Sequence, residues 1–439
     1  MTRERTAMDI LLVNASVKAR SKHARLSPPL GLAYIGAVLL GERYSVSAED
    51  CNLTDFNPTR MRRMVEDRAP RIVGISTNTE TYPNGLRIAE IVKAVDPRIT
   101  VVLGGPHATV MHCEVAREPN VDIVVRGEGE YAMRDIADCL VRGRGSIDDI
   151  GGITFCKDGE VRVTPDRRFI VEPDELPFPT RELFPLPMYE RPATLLMSRG
   201  GCPCDCVFCA VNNIWKGRRR FRDPDNVVAE MLFLVHTLGS DEVSFADDTF
   251  TLSWKHVTGL CDRLIRLEDS SCRWRCTTRV DMVDRPLLEH MRRAGCVSIT
   301  FGVESGSQRI LDAVAKNITR EQVLVAVGAA LEVGMEVLCS FMFPHPDDTD
   351  ETVHEQTTFM KALIAMGATV SLALTTPFPG TPYFQHPSDH GIKILTNRWE
   401  EFDAKHLVIE TKYLSEARLQ SLLGELLRDV GLRSDSLPV

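Results

Sequence analysis

No apolar run in the chain approaches the ~18 residues that a membrane-spanning helix needs, and no charged-then-apolar leader opens it. A cytosolic protein without a membrane partner is the expectation. Positive charge is in deficit: 52 Lys and Arg face 61 Asp and Glu, leaving −9, which disfavours a nucleic-acid partner. The run Lys216-Gly217-Arg218-Arg219-Arg220 is the local exception, and its plain reading is a solvated rim. Low-complexity tracts are absent, and so is any internal repeat beyond an alternation of strands and helices.

What the chain does have is 439 residues, 44% apolar and 26% charged. That is enough for two packed domains and a short tail. Thirteen cysteines in such a chain fit thiols and metal ligands better than disulfides. Nine lie scattered, mostly in apolar company, and read as small buried hydrophobes. The other four crowd into SRGGCPCDCVFCAVNN.

Residues 8–140 alternate strand and helix. Apolar runs at Ile10–Asn14, Ile72–Ser76, Thr100–Leu103 and Val121–Val125 are separated by helical periodicity at Leu30–Leu40, Pro83–Val95 and Tyr131–Val141. The pattern predicts a doubly wound, Rossmann-like parallel sheet over residues 1–145. Ligands of such a sheet bind beyond the carboxyl ends of its strands. Residues there are Asn14, Ser76, Thr77, Gly104, Gly105, His107, Gly127 and Glu128. A hairpin turning at Asp158-Gly159 and a Pro-rich stretch follow, read together as a linker over 146–190.

Six further strand–helix units fill 191–390, with strands expected at Thr194–Ser198, Glu242–Ala246, Arg273–Thr278, Val297–Val303, Glu336–Phe343 and Thr369–Thr375. Six units predict a partial (βα)6 barrel with chemistry at its C-terminal strand ends. Residues 391–439 read as a C-terminal extension ending in a helix at Glu416–Val430.

Cys202, Cys206 and Cys209 follow the first barrel strand with C-x3-C-x2-C spacing. Three thiolates in so short a loop can hold three irons of a [4Fe–4S] cube. No fourth cysteine follows at a fitting spacing, which leaves one iron open. Cys204 reads as a bystander in that register.

This loop resembles that of the radical S-adenosylmethionine (SAM) superfamily, whose open iron chelates the amino and carboxylate groups of SAM. Further positions match across about 190 residues. In FADDTF, Asp247 and Asp248 resemble the strand-two motif that meets the SAM amino group. In CTTRVD, Arg279 is a fork for its carboxylate. In FGVESGS, Glu304 is an acceptor for the ribose hydroxyls, with Gly302 allowing close approach. Phe208 resembles the aromatic residue at the adenine, and FPGTPY closes the sixth strand in a form common in the superfamily.

The first domain, through PPLGLAYIGAVL and VVLGGPHATVMHCEVAREPNVDIVVRGEGEYAMRDI, resembles the cobalamin-binding domain fused to one large radical SAM class. The D-x-H-x-x-G element that gives cobalt a histidine in mutases is absent, although His23, His107 and His112 are present. The resemblance implies a [4Fe–4S] cluster, SAM and cobalamin as cofactors. It also implies a small-molecule substrate and a flavodoxin- or ferredoxin-type electron donor. C-methylation of an unactivated carbon is the expected reaction. Non-methylating radical chemistry, such as dehydration of an amino sugar or ring closure, is the alternative, with the first domain then a scaffold. Trp215 and Tyr383 are candidate pocket-lining residues, and Cys339 on the fifth strand is a candidate hydrogen donor for which a core position is favoured.

Overall fold

The computed structural model describes residues 8–16, 27–53, 56–191 and 193–433; His23 lies outside them. The chain divides into two compact units with the boundary at residue 192, and 172–174 belong to the second.

The first unit is built on β1 (Ile10–Asn14), β2 (Val46–Asp50), β3 (Ile72–Ser76), β4 (Thr100–Gly104), β5 (Ile123–Val125), β6 (Ile153–Lys157) and β7 (Glu160–Val163). They form one sheet in the order β2-β1-β3-β4-β5-β6-β7. The first five strands are parallel. β1, β3 and β4 are apolar almost throughout and buried, as strands covered on both faces must be. The order turns back between β1 and β3, so the switch-point crevice opens at Asn14 and Ser76.

The sequence reading overlooked β2 and a helix at Pro58–Arg68. VSAED is too polar to read as a strand because it runs along the sheet's edge. The helix buries only Met61 and Val65 among charged residues. Its start was nevertheless marked: Asn57 caps it, accepting from the Arg60 amide at 3.0 Å, and Pro58 occupies the first turn.

The expected linker is corrected in part. Its hairpin continues the sheet, β6 pairing antiparallel with β5 and β7 with β6, because a strand edge left bare at β5 is a pairing template. The Pro-rich stretch carries single helical turns and packs back on the first unit. There the Thr180 amide donates to Ala33 O at 3.1 Å, and the Tyr189 hydroxyl to Asp50 at 2.8 Å.

The second unit holds β8 (Thr194–Leu195), β9 (Ser198–Gly200), β10 (Arg219–Phe221), β11 (Val243–Phe245), β12 (Trp274–Thr278), β13 (Cys296–Glu304), β14 (Glu336–Phe343) and β15 (Thr369–Leu374). Six of them make a parallel sheet in the order β8-β11-β12-β13-β14-β15. Strand order follows chain order without reversal, as in a barrel left open. β9 and β10 stand apart as an antiparallel pair. Inside the sheet, Phe245, Phe250 and Trp274 pack ring against ring at 4.6–5.4 Å between centroids, and Cys339 is fully buried in the same core.

The C-terminal extension adds β16 (Ile392–Ile394), paired antiparallel with β17 (Ile409–Thr411), and the helix Glu416–Val430. Leu419, Leu422, Leu426 and Leu427 of that helix enter the core of the second unit, each burial stabilising by ~1.5–3 kcal/mol. Among the described residues no helix is long and apolar enough to cross a membrane.

Candidate active site

The cysteine loop begins where β9 ends. Cys202, Cys204, Cys206 and Cys209 are all half-buried free thiols. Burial pushes the Cys209 thiol up to about 11 and raises Cys206, whose rise Lys316 and Arg279 oppose with their charges. Among the described residues no three Cys, His, Asp or Glu side chains converge as a single metal ion requires. A cube does not ask for that, since each thiolate takes a different iron. Three soft donors in one loop with two cations beside them therefore fit a cluster of net negative charge. Cys204 is nearer than a bystander: its thiol hydrogen-bonds that of Cys202, and burial pushes it up to about 11.

The two strand-two carboxylates divide their work. Asp247 is buried and accepts from the Met197 amide at 2.9 Å, the Ser198 amide at 2.7 Å and the Ser198 hydroxyl at 2.5 Å. It was expected at the SAM amino group; the structure makes it the clamp that joins the end of β11 to the root of the cysteine loop. Asp248 points the other way, open to solvent yet walled by protein on most sides. That desolvation, with Asp247 beside it, pushes its carboxyl up to about 6. Its charge reaches Cys209.

Arg279 was expected as a free fork, and it is already engaged. Its Nε and Nη2 donate to the two Asp281 oxygens at 2.9 Å each, and Nη2 donates also to Lys316 O at 2.7 Å. Nη1 is left 4.0 Å from Cys206 Sγ. Glu304 likewise has a partner, Lys316 Nζ at 2.7 Å from Oε1. A Cβ on Gly302 would stand 2.7 Å from that oxygen and 3.1 Å from Nζ, so the absent side chain is what lets the pair close over the strand. Glu304 sits at φ +72°, and fully buried His345 donates from Nε2 to its carbonyl at 3.1 Å. The acceptor is a carbonyl, so the proton is on Nε2.

Phe208 packs on the small cluster of Tyr383, Ile392, Val408 and Ile409, with its ring 6.4 Å from that of His345. Tyr383 is buried there. Trp215 is half-buried behind Gly201. Sequence reasoning missed Lys316, His345 and Asp281. Lys316 looks like an ordinary cation after a helix until its neighbours Ala315 and Asn317, both at positive φ, turn it inward.

In the first unit, most of the strand-end side chains face inward. Asn14 Nδ2 donates to Asp50 at 2.9 Å, and Thr77 is buried with its hydroxyl 3.4 Å from Gly104 O. Glu128 is corrected from cofactor contact to tie, since it accepts from the Ile170 amide at 2.7 Å. His107 is buried, stacked 4.3 Å from Tyr82, with Nδ1 3.3 Å from Thr79 Oγ1. Burial drops its imidazole to about 4, which keeps it neutral and internal. Gly105 runs at φ +98°, and a Cβ there would lie 2.5 Å from Thr77 O. Small residues and main chain, through Ser76, Gly104, Gly105 and Gly127, form the crevice surface. Residues so small at the strand ends leave room for a large planar ring.

The radical SAM superfamily model matches residues 198–359, and the B12 binding domain model matches 20–137. A protein of Pyrococcus horikoshii described as an uncharacterised methyltransferase is 33% identical over 95% of this chain and 91% of its own. The chain belongs to the radical SAM superfamily, in the class with a B12-binding domain. The anaerobic magnesium-protoporphyrin IX monomethyl ester cyclase of Rubrivivax gelatinosus is 31% identical over 82% of this chain, which spans 66% of the cyclase. The structure of the radical SAM methyltransferase TsrM from Kitasatospora setae, with cobalamin and a [4Fe–4S] cluster bound, matches with a TM-score of 0.77. That match covers 97% of this chain and 88% of TsrM at 19% identity, and it shows the shared fold. An iron–sulfur cluster, SAM and cobalamin are the cofactors of this class of enzyme.

Proposed function

We propose that this radical SAM enzyme methylates an unactivated carbon of a small molecule with cobalamin as methyl carrier. The observation that carries the reading is the 33% identity, over both units and not the barrel alone, to a protein described as an uncharacterised methyltransferase. When bound, the cluster with SAM supplies a 5′-deoxyadenosyl radical and the corrinoid a transferable methyl group. The chain's own residues bind, orient and exclude water. Cys202, Cys206 and Cys209 would hold the cluster. Asp248 would accept from the SAM ammonium, and Lys316 and Arg279 beside Cys206 would meet its carboxylate. Glu304, with one oxygen held by Lys316, would take the ribose hydroxyls with the other. Ser76, Gly104, Gly105 and Gly127 would lie against the corrinoid.

Ring closure is the second reading, favoured by the 31% identity to a cyclase. Product analysis separates the two under anaerobic, reducing conditions with hydroxocobalamin. A methylase forms 5′-deoxyadenosine and S-adenosylhomocysteine together; a cyclase forms 5′-deoxyadenosine without S-adenosylhomocysteine. Zinc without sulfide in anaerobically purified protein would sink both readings.

A further inference from the structure

The cysteine loop is backed by a strand of cations. Between Asp205 and Asp223 the chain has no acidic residue, whereas Lys216, Arg218, Arg219, Arg220 and Arg222 all fall there, on a chain of net charge −9. Arg222 is buried and spent on Glu230 and Asn226. Arg218 and Arg219 are exposed. Neither makes an ion pair among the described residues.

The position of these charges is fixed by the backbone. β10 pairs with β9 through Arg219 opposite Gly200, and the Gly201 amide donates to Arg218 O at 3.2 Å. Gly201 is the residue before Cys202. The approach is so close that a Cβ on Gly200, which sits at φ +125°, would lie 2.0 Å from Arg218 O. Only glycine lets the basic strand lie against the root of the cluster loop. From the other side, Asn212 Nδ2 donates to Cys204 O at 2.9 Å, binding the same segment to the loop's middle. A merely solvated rim needs no such registration.

We infer that the exposed basic corner where the chain enters β10, carried by Arg218 and Arg219, is the docking surface for a small acidic one-electron carrier protein that reduces the cluster. The inference rests on the radical SAM reading, because only a redox cluster in this loop needs a protein donor. The carrier loses one electron and the cluster gains one; no proton or bond changes hands in that step. Complementary charge raises the encounter rate and fixes orientation, and it does so in a manner that salt screens. On an acidic enzyme that would otherwise repel an acidic carrier, a local basic strand beside the cluster selects where the carrier lands.

The probe is an acidic flavodoxin, measured in two ways on the full chain. Its affinity in the oxidised form, read by calorimetry without turnover, is expected to weaken at least tenfold between 50 and 300 mM salt, as roughly two neutralised charge pairs would give. Arg218→Glu with Arg219→Glu is expected to weaken it tenfold or more at low salt. In turnover, the double variant is expected to lose flavodoxin-driven SAM cleavage by tenfold or more, while dithionite-driven cleavage stays within twofold of the parent. The salt series on the unaltered protein keeps the test informative should the double variant fold poorly. Flavodoxin affinity indifferent to both salt and charge reversal would overturn the inference, as would binding of single-stranded RNA to this strand in place of flavodoxin. Absence of dithionite-driven cleavage in the parent would instead strike the radical reading itself.

Discussion

Lys316 Nζ stands 2.7 Å from Glu304 Oε1, with both side chains nearly out of solvent at 7% and 12% exposure. The two are twelve residues apart and reach each other over Gly302, whose missing side chain leaves the space. Charge pairing in such a place makes each partner depend on the other.

Lys316→Met should therefore destabilise the protein by about 3 kcal/mol, since it strands a buried carboxylate. Lys316→Met with Glu304→Gln should recover most of that loss while SAM affinity stays low. Chemical denaturation reads the first effect and calorimetric SAM titration the second.

The adjacent aspartates should separate cleanly. Asp247→Ala removes the acceptor of three hydrogen bonds and is expected to cost on the order of 4 kcal/mol, with poor iron retention. Asp248→Asn should leave stability within about 0.5 kcal/mol and weaken SAM binding tenfold or more. Thermal unfolding beside SAM titration checks both, and equal effects on stability would overturn the division of labour.

Iron and sulfide content should follow the loop's register. Cys202→Ala, Cys206→Ala and Cys209→Ala are each expected to lose the cluster and all SAM cleavage. Cys204→Ala should keep both, although its thiol touches that of Cys202. Loss in Cys204→Ala alone would assign the ligands differently.

His107 predicts a pH effect of known sign. Its imidazole falls from 6.5 when unfolded to about 4 when buried. The neutral ring's contribution is complete above pH 6.5 and is lost as pH falls through 4, because the unfolded chain takes up the proton first. Up to about 3 kcal/mol is at stake. His107→Phe, which keeps a ring against Tyr82, should flatten the stability profile between pH 6.5 and 4.

Periodic, apolar segments were legible at once. β1, β3 and β14 and the helix at Glu416–Val430 match their expected limits, because buried faces impose their spacing on the sequence. Edge elements were not: VSAED and the charged helix after Asn57 bury too little to leave a pattern. The site was legible as a set of positions and less so as a set of roles. FADDTF shows two carboxylates alike, and only the fold decides that one turns inward to Met197 and Ser198 while the other faces out. Arg279 and Glu304 were visible, whereas Asp281 and Lys316, which hold them, are ordinary residues until β12 and β13 bring the four together. The hairpin at Asp158-Gly159 was recognisable, but no local signal says that it completes a sheet begun 140 residues earlier.

The Asp247 clamp bears on how the enzyme ages in air. The foot of the cysteine loop is set by carboxylate and amides, groups that oxygen does not attack, so the first ligand keeps its place when iron is stripped away. A bleached molecule should thus retain a mould for its own repair, and ferrous iron and sulfide, supplied with a thiol reductant, should refill it without a round of refolding.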